Sequence, residues 1–327
     1  MKAIVNTSAN RLEMQEYPMP QPGRGQVRIR TVACGICATD LEMIAGWSRT
    51  GFPAICGHEW SGIVDIVGEG VDASLTGHKC VAENIMKDGG EVGFEYPGGY
   101  AEYFITESKN IQLLPDDFSL STAALIEPLA VSVRGMRRLG DRLNEPILIF
   151  GDGPIGLIMI MLLKREGARQ IIVVGGRENR LKLAKELGAT QTFNYHDING
   201  DICLAIRQKL KRGFGTIIEA SGSDSAFHAA IELANVDCRI LIVSDYKGRV
   251  ARFKLNAILH KELRIIGSNA SQGAWKEAVR LAVEDRLPLD KLITHRLPAE
   301  QFEEGLILMQ SREQNVIKVI LEWNKQC

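Results

Sequence analysis

The chain has 327 residues, 45% apolar and 24% charged, which suits a soluble globular protein and is long enough for two domains. A formal net charge of −1 excludes the electrostatic footprint that DNA, RNA or an anionic membrane would call for, and the local basic run Arg134 to Arg142 reads as the solvated side of a helix. Seven scattered cysteines (Cys34, Cys37, Cys56, Cys80, Cys203, Cys238, Cys327) argue against a disulfide framework; with no apolar leader and no apolar run longer than Ile155 to Leu163, the reading is a cytoplasmic protein.

In chain order, "QVRIRTVACGI" and "SGIVDIVGEG" alternate or run apolar and stop at glycine, as strands of an irregular sheet do. Cys37 follows the first, and His58 and Glu59 precede the second. Thiolate, imidazole and carboxylate together are what zinc binds, and a catalytic zinc takes three protein ligands while leaving one position open. Cys37 and His58 are too far apart in sequence for a zinc-finger pair, so the fold would have to bring them together. A third ligand is Glu59 or Glu127, the latter in "LIEPLAVSVRG", where Pro128 is expected at the first helical position. Each residue has an ordinary alternative: a buried thiol, a hydrogen-bonded imidazole, a salt-bridged carboxylate, a helix cap.

From Pro146 the texture changes. The strand-like "PILIF" runs into Gly151-x-Gly153-x-x-Gly156, with Pro154 and Ile155 opening a helix. That order of strand, glycine turn and helix is the dinucleotide fingerprint: glycines for the tight turn and close backbone approach, a helix N-terminus for the pyrophosphate. The following "QIIVVGG", "RENRLKLAKELGA", "GTIIEASGS", "CRILIVS" and "LRIIGS" alternate strand and helix, which predicts a parallel sheet of βαβ units. An NAD site wants an acid at the end of its second strand to bond the ribose 2′-hydroxyl. Here that end reads Gly175-Gly176-Arg177; an arginine and no carboxylate favours a 2′-phosphate, hence NADP(H), and Tyr195 can add a hydroxyl donor. From about Ser271 the pattern is mixed, and "NVIKVILEW" is expected to return to the first domain's sheet.

The segments "CGICATD", "GHEWSGIVDIVGEGV", "GGYAEYF", "EPLAVSV", "GDGPIGL", "RLKLAKELGA" and "LITHRLP" span almost the whole chain. In that order they resemble the zinc-dependent medium-chain dehydrogenase/reductase family of alcohol and polyol dehydrogenases. The resemblance implies an α/β fold in which a GroES-like β-rich catalytic domain (1–129 plus 269–327) carries an inserted Rossmann domain with a doubly wound parallel sheet (130–268). It implies one catalytic zinc on Cys37 and His58, with Glu59 ligating or directly behind it. Glu127 falls on the remaining ligand or on a carboxylate holding the zinc-bound water. Thr39 falls on the hydroxyl that passes the substrate proton, and Asp40 on an acid behind the ligands. Gly175-Gly176-Arg177 resembles the Gly-Ser-Arg of NADP-dependent members, and Tyr195 matches a tyrosine that helps them. Homodimers or homotetramers are the family's assemblies.

Two departures bear on function. The interval "CVAENIMKDGGEVGFEYP", where many members carry four structural-zinc cysteines, holds only Cys80, so no structural zinc is expected. Glu42 replaces the histidine that often completes the proton relay. "EPLA" resembles the polyol, sugar and threonine branch, and an aromatic content of 6% agrees with a polar pocket. The expected substrate is therefore a small polar secondary alcohol, such as a polyol, sugar or cyclitol. The alternatives are a zinc-free quinone or enoyl reductase of the same superfamily and a non-catalytic NADP-binding sensor.

Overall fold

The computed structural model describes residues 1–140, 145–211, 213–250, 252–311 and 315–323; Arg142 and Cys327 lie outside them. The chain divides into two units, Met1–Ala130 with Trp275–Cys327, and Val131–Ala274. Among the described residues no helix is long and apolar enough to cross a membrane.

The first unit opens with an antiparallel pair, β1 (Lys2–Ser8) and β2 (Arg11–Glu16). Then come β3 (Gln26–Gly35), helix α1 (Ala38–Ile44), β4 (Glu59–Val67), β5 (Lys79–Ala82), β6 (Tyr103–Glu107) and β7 (Ile111–Leu113). Val27, Ile29, Thr31 and Ala33 of β3 are buried while Arg28, Arg30 and Val32 between them are half-buried, the period-two pattern of a strand with one face on a core. That core gathers Ile4, Ile29, Met43, Trp60 and Phe104. β3 pairs antiparallel with β4, with Gly35 opposite Glu59 and Cys34 opposite Trp60. This register closes the long sequence gap: Cys37 leaves the end of β3 beside the point where His58 enters β4.

Helix α2 (Leu120–Ala123) is followed by α3 (Ile126–Leu139), which starts before the Glu-Pro step. Pro128 is thus third in the helix rather than first, which proline tolerates because the N–H groups of the first turn have no intrahelical acceptor.

In the second unit β8 (Ile147–Phe150), α4 (Pro154–Arg165), β9 (Ile171–Gly175), α5 (Glu178–Leu187), β10 (Gln191–Asn194), α6 (Ile202–Leu210), β11 (Phe214–Glu219), α7 (Asp224–Leu233), β12 (Ala234–Ile242), α8 (Asn256–His260) and β13 (Arg264–Gly267) alternate as expected. They form a parallel sheet in the order β10-β9-β8-β11-β12-β13. Its central strands β8, β9 and β11 are buried along their whole length, as strands of a parallel sheet covered on both faces are. The order reverses between β8 and β11, the switch point where such sheets bind ligands at their carboxyl ends. The arginines of α3 are more than a solvated face. Arg134 donates to the Gln272 carbonyl (2.8 Å), Arg137 to Gly273 (2.6 Å) and Arg138 to Gly267 (2.6 Å), tying the helix to the end of β13 and the loop beyond it.

The chain then re-enters the first unit through β14 (Ile293–Pro298) and β15 (Lys318–Glu322). β15 lies antiparallel against β3, with Ile320 opposite Gly35, and parallel to β14.

Candidate metal and cofactor sites

Cys37 is the N-cap residue of α1, with extended backbone. Its N–H donates to Asp40 Oδ2 at 2.8 Å, a local closure that orients the thiol. The other oxygen of Asp40 lies 3.3 Å from His58 Nδ1, and both groups are buried. A carboxylate on Nδ1 leaves Nε2 as the imidazole's donor to a metal. The Tyr100 hydroxyl reaches Asp40 Oδ2 at 3.4 Å from the other side. Burial would pull the His58 pKa down, but Asp40 and the Cys37 sulfur outweigh it and hold it well above the ordinary value.

One ligand atom each from Cys37, His58 and Glu59 lies within 4.8 Å of the others. Soft thiolate, imidazole and carboxylate converging in one place is a donor set that fits zinc. The structure thus brings together three of the four residues considered as ligands. The fourth, Glu127, is half-buried in the first turn of α3. Burial pushes its pKa up to about 7, with His58 drawing it down and Glu59 raising it, so it belongs to the same electrostatic neighbourhood. Thr39 Oγ1 lies 3.6 Å from Cys37 Sγ. Glu42, half-buried, follows three positions later on α1, on the same face.

Lys318 was not among the expected site residues. Its ammonium lies 2.7 Å from both oxygens of Glu59 and 3.3 Å from the Ile36 carbonyl, with side-chain exposures of 3% for the lysine and 2% for the glutamate. Burial pulls its pKa down, yet Glu59 and Cys37 raise it above the ordinary lysine value. Gly35 makes room for this pair, because a Cβ there would run into Glu59 Oε2. The available signal was a lysine opening the apolar run "KVILE", all buried but its last residue.

The Phe94 ring lies 4.8 Å from the His58 ring and Trp47 lies 6.5 Å from Phe94, so aromatic faces border the candidate ligands. The Arg49 guanidinium stands 4.4 Å over Phe94 and is engaged by Glu95 (2.6 Å) and Glu91 (3.2 Å).

In the second unit, Gly153 caps α4 with Pro154 and Ile155 following, and Gly156 packs so tightly on the Gly151 carbonyl that a Cβ would collide. A Cβ at Gly153 would meet nothing within 4 Å. The helix N-terminus therefore faces open space, the cradle a pyrophosphate needs. Arg177 caps α5, and the Tyr195 hydroxyl lies where a Cβ on Gly176 would point. These residues fit a nicotinamide dinucleotide. Asp152 was also unforeseen: its buried carboxylate accepts from the N–H groups of Gly176 and Arg177, each at 2.9 Å.

Comparison with known proteins agrees with this architecture. The profile described as "Alcohol dehydrogenase GroES-like domain" matches residues 23–116, and that described as "Zinc-binding dehydrogenase" matches residues 154–284. L-threonine 3-dehydrogenase of Xanthomonas euvesicatoria pv. vesicatoria is 30% identical over 352 residues, covering 99% of this chain and 100% of its own. Galactitol 1-phosphate 5-dehydrogenase of Escherichia coli K12 is 28% identical over 331 residues, covering 94% and 95%. A solved alcohol dehydrogenase from Escherichia coli CFT073, complexed with the cofactor NADH, superposes with a TM-score of 0.92 at 25% identity, with 99% of each chain covered. With a GroES-like unit, a Rossmann unit and relatives matched end to end, the chain belongs to the zinc-dependent medium-chain dehydrogenase/reductase family of alcohol dehydrogenase oxidoreductases.

Proposed function

We propose that this chain is a zinc-dependent dehydrogenase that moves hydride between NADP(H) and a secondary alcohol or its ketone on a polyol, sugar or cyclitol. The observation that carries the reading is the convergence of Cys37, His58 and Glu59 within 4.8 Å, in a chain whose other unit has a glycine turn at the switch point of a parallel sheet. Cys37, His58 and Glu59 would hold the metal, with Glu127 as the neighbouring carboxyl group. Zinc held there would supply a Lewis acid for the substrate oxygen. Nicotinamide supplies the hydride acceptor or donor.

The protein's own groups do the rest. Asp40 orients His58 and fixes the start of α1. Lys318 neutralises Glu59, so the site presents less negative charge than its residue count suggests. The Thr39 hydroxyl beside Cys37 takes the substrate proton, and Glu42 one turn on gives it an exit. Arg177 and Tyr195 favour a 2′-phosphate on the cofactor.

The substrate class rests on the surroundings. Aromatic faces beside carboxylates suit a polyhydroxy compound, whose C–H face is apolar and whose hydroxyls need acceptors. The similarity to a galactitol 1-phosphate dehydrogenase and an L-threonine dehydrogenase supports the same polar branch. Arg49 is already engaged by two carboxylates, which favours a neutral polyol over a phosphorylated one.

The test is a panel of polyols, sugars and cyclitols with NADP⁺ and NAD⁺ on zinc-quantified protein, with Cys37→Ser alongside. Turnover that disappears together with zinc in the variant supports the reading. Full turnover in zinc-free protein would move the chain to the metal-free reductases, and NADPH binding with no turnover of any alcohol or ketone would leave a sensor.

A further inference from the structure

We propose that Asp152, inside the glycine turn, sets the balance between NAD(H) and NADP(H). Its carboxylate stands in for the acid missing from the end of β9. This rests on the nicotinamide-dinucleotide reading of the second unit. By sequence no acid ends β9, since Gly175-Gly176 occupy that place. In space one does. A Cβ on Gly175 would fall 2.6 Å from both Cβ and Oδ2 of Asp152, so the aspartate fills the volume a side chain at position 175 would take.

Four contacts define what the carboxylate does there. Oδ2 accepts from the N–H groups of Gly176 and Arg177 at 2.9 Å, two donors a 2′-phosphate would otherwise use. Oδ1 lies 3.8 Å from Arg177 Nη1 and 3.9 Å from Arg180 Nη1. It therefore shares the positive charge of the arginine expected to recognise the phosphate. Only 8% of Asp152 is exposed, so solvent screens the charge weakly.

The consequences have opposite signs for the two cofactors. A 2′-phosphate carries about −1.5 to −2 charges, as phosphate monoesters do at neutral pH, and meets like charge and occupied donors. A ribose 2′-hydroxyl is a donor and meets an acceptor, as in NAD sites built on an acid at the end of the second strand. Arg177 and Tyr195 pull toward NADP(H) and Asp152 toward NAD(H), so their opposition sets the ratio between the two cofactors. Asp152 is thus a specificity-determining residue that enters from the turn rather than from the strand.

Asp152→Asn removes the charge while its amide oxygen still accepts from Gly176 and Arg177. Calorimetric affinities for adenosine 2′,5′-diphosphate and for AMP, which differ by the 2′-phosphate alone, are measured on wild type, Asp152→Asn, Asp152→Ala and Arg177→Ala. The kcat/KM ratio for NADP⁺ over NAD⁺ is measured alongside. Expected is a rise of about tenfold or more in both ratios for the two Asp152 variants, the scale of one removed like-charge contact. The result that overturns the proposal is an unchanged ratio in both Asp152 variants, while Arg177→Ala still weakens the diphosphate. An Arg177→Ala protein with unchanged diphosphate affinity would instead overturn the NADP(H) reading, and binding of neither nucleotide by wild type would overturn the dinucleotide site itself.

Discussion

Replacing Lys318 with methionine tests how the Glu59 carboxylate is held. Methionine keeps the length and apolar stem of lysine but leaves Glu59 buried without its cation. Lys318 Nζ is 2.7 Å from both carboxylate oxygens, and neither side chain exceeds 3% exposure. At an effective dielectric of about 20, unit charges at that separation attract by roughly 6 kcal/mol. Part of this offsets the desolvation of both ions, and breaking such a pair from one side costs about 3–5 kcal/mol. For a folding unit of 150–250 residues, each kcal/mol lowers the melting temperature by about 2–4 °C. The expected drop is thus roughly 10 °C. The assay is a melt in chelator, because a bound cation would compensate the orphaned carboxylate. The double variant Lys318→Met with Glu59→Gln carries no stranded charge and should recover at least half of the loss. A single variant melting within about 2 °C of wild type, or a double variant no better than the single, would refute the reasoning.

The remaining expectations concern the same neighbourhood. Asp40→Asn removes the charge beside His58 Nδ1 while its amide oxygen still accepts from the Cys37 N–H. Zinc affinity should fall about 10–100-fold with little change in melting, read by competition against a chromophoric chelator; an unchanged affinity would show that Asp40 does not tune the imidazole. Gly35→Ala pushes a methyl into Glu59 Oε2 and should cost about 1–3 kcal/mol together with turnover, measured by melting and by kinetics. A Gly35→Ala protein that melts and turns over like wild type would mean the carboxylate is not seated opposite Gly35.

What was readable in the sequence follows from short-range rules. The period-two burial of β3, the apolar runs of the second unit and the glycine turn before α4 are local patterns, and each formed where its residues indicated. Cys37, His58 and Glu59 could be nominated because their chemistry is metal-binding whatever the fold. Their convergence could not be derived from spacing, since it depends on β3 and β4 pairing with Gly35 opposite Glu59. Lys318 was out of reach for the same reason: β15 meets β3 across most of the chain's length, and no local rule pairs a late lysine with an early glutamate.

The cofactor site shows the division most sharply. The sequence by itself determined that β9 ends in Gly175-Gly176-Arg177, and from that alone the acid of an NAD site is missing. Only the tertiary structure placed Asp152 in the vacated volume, because the β8 and β9 ends are neighbours in the sheet and a glycine at position 175 leaves room for a side chain from the adjacent turn. Residue types and local periodicity set which chemistry the chain carries. Which charges face one another is decided by strand register and close packing, and those arise only when distant segments meet.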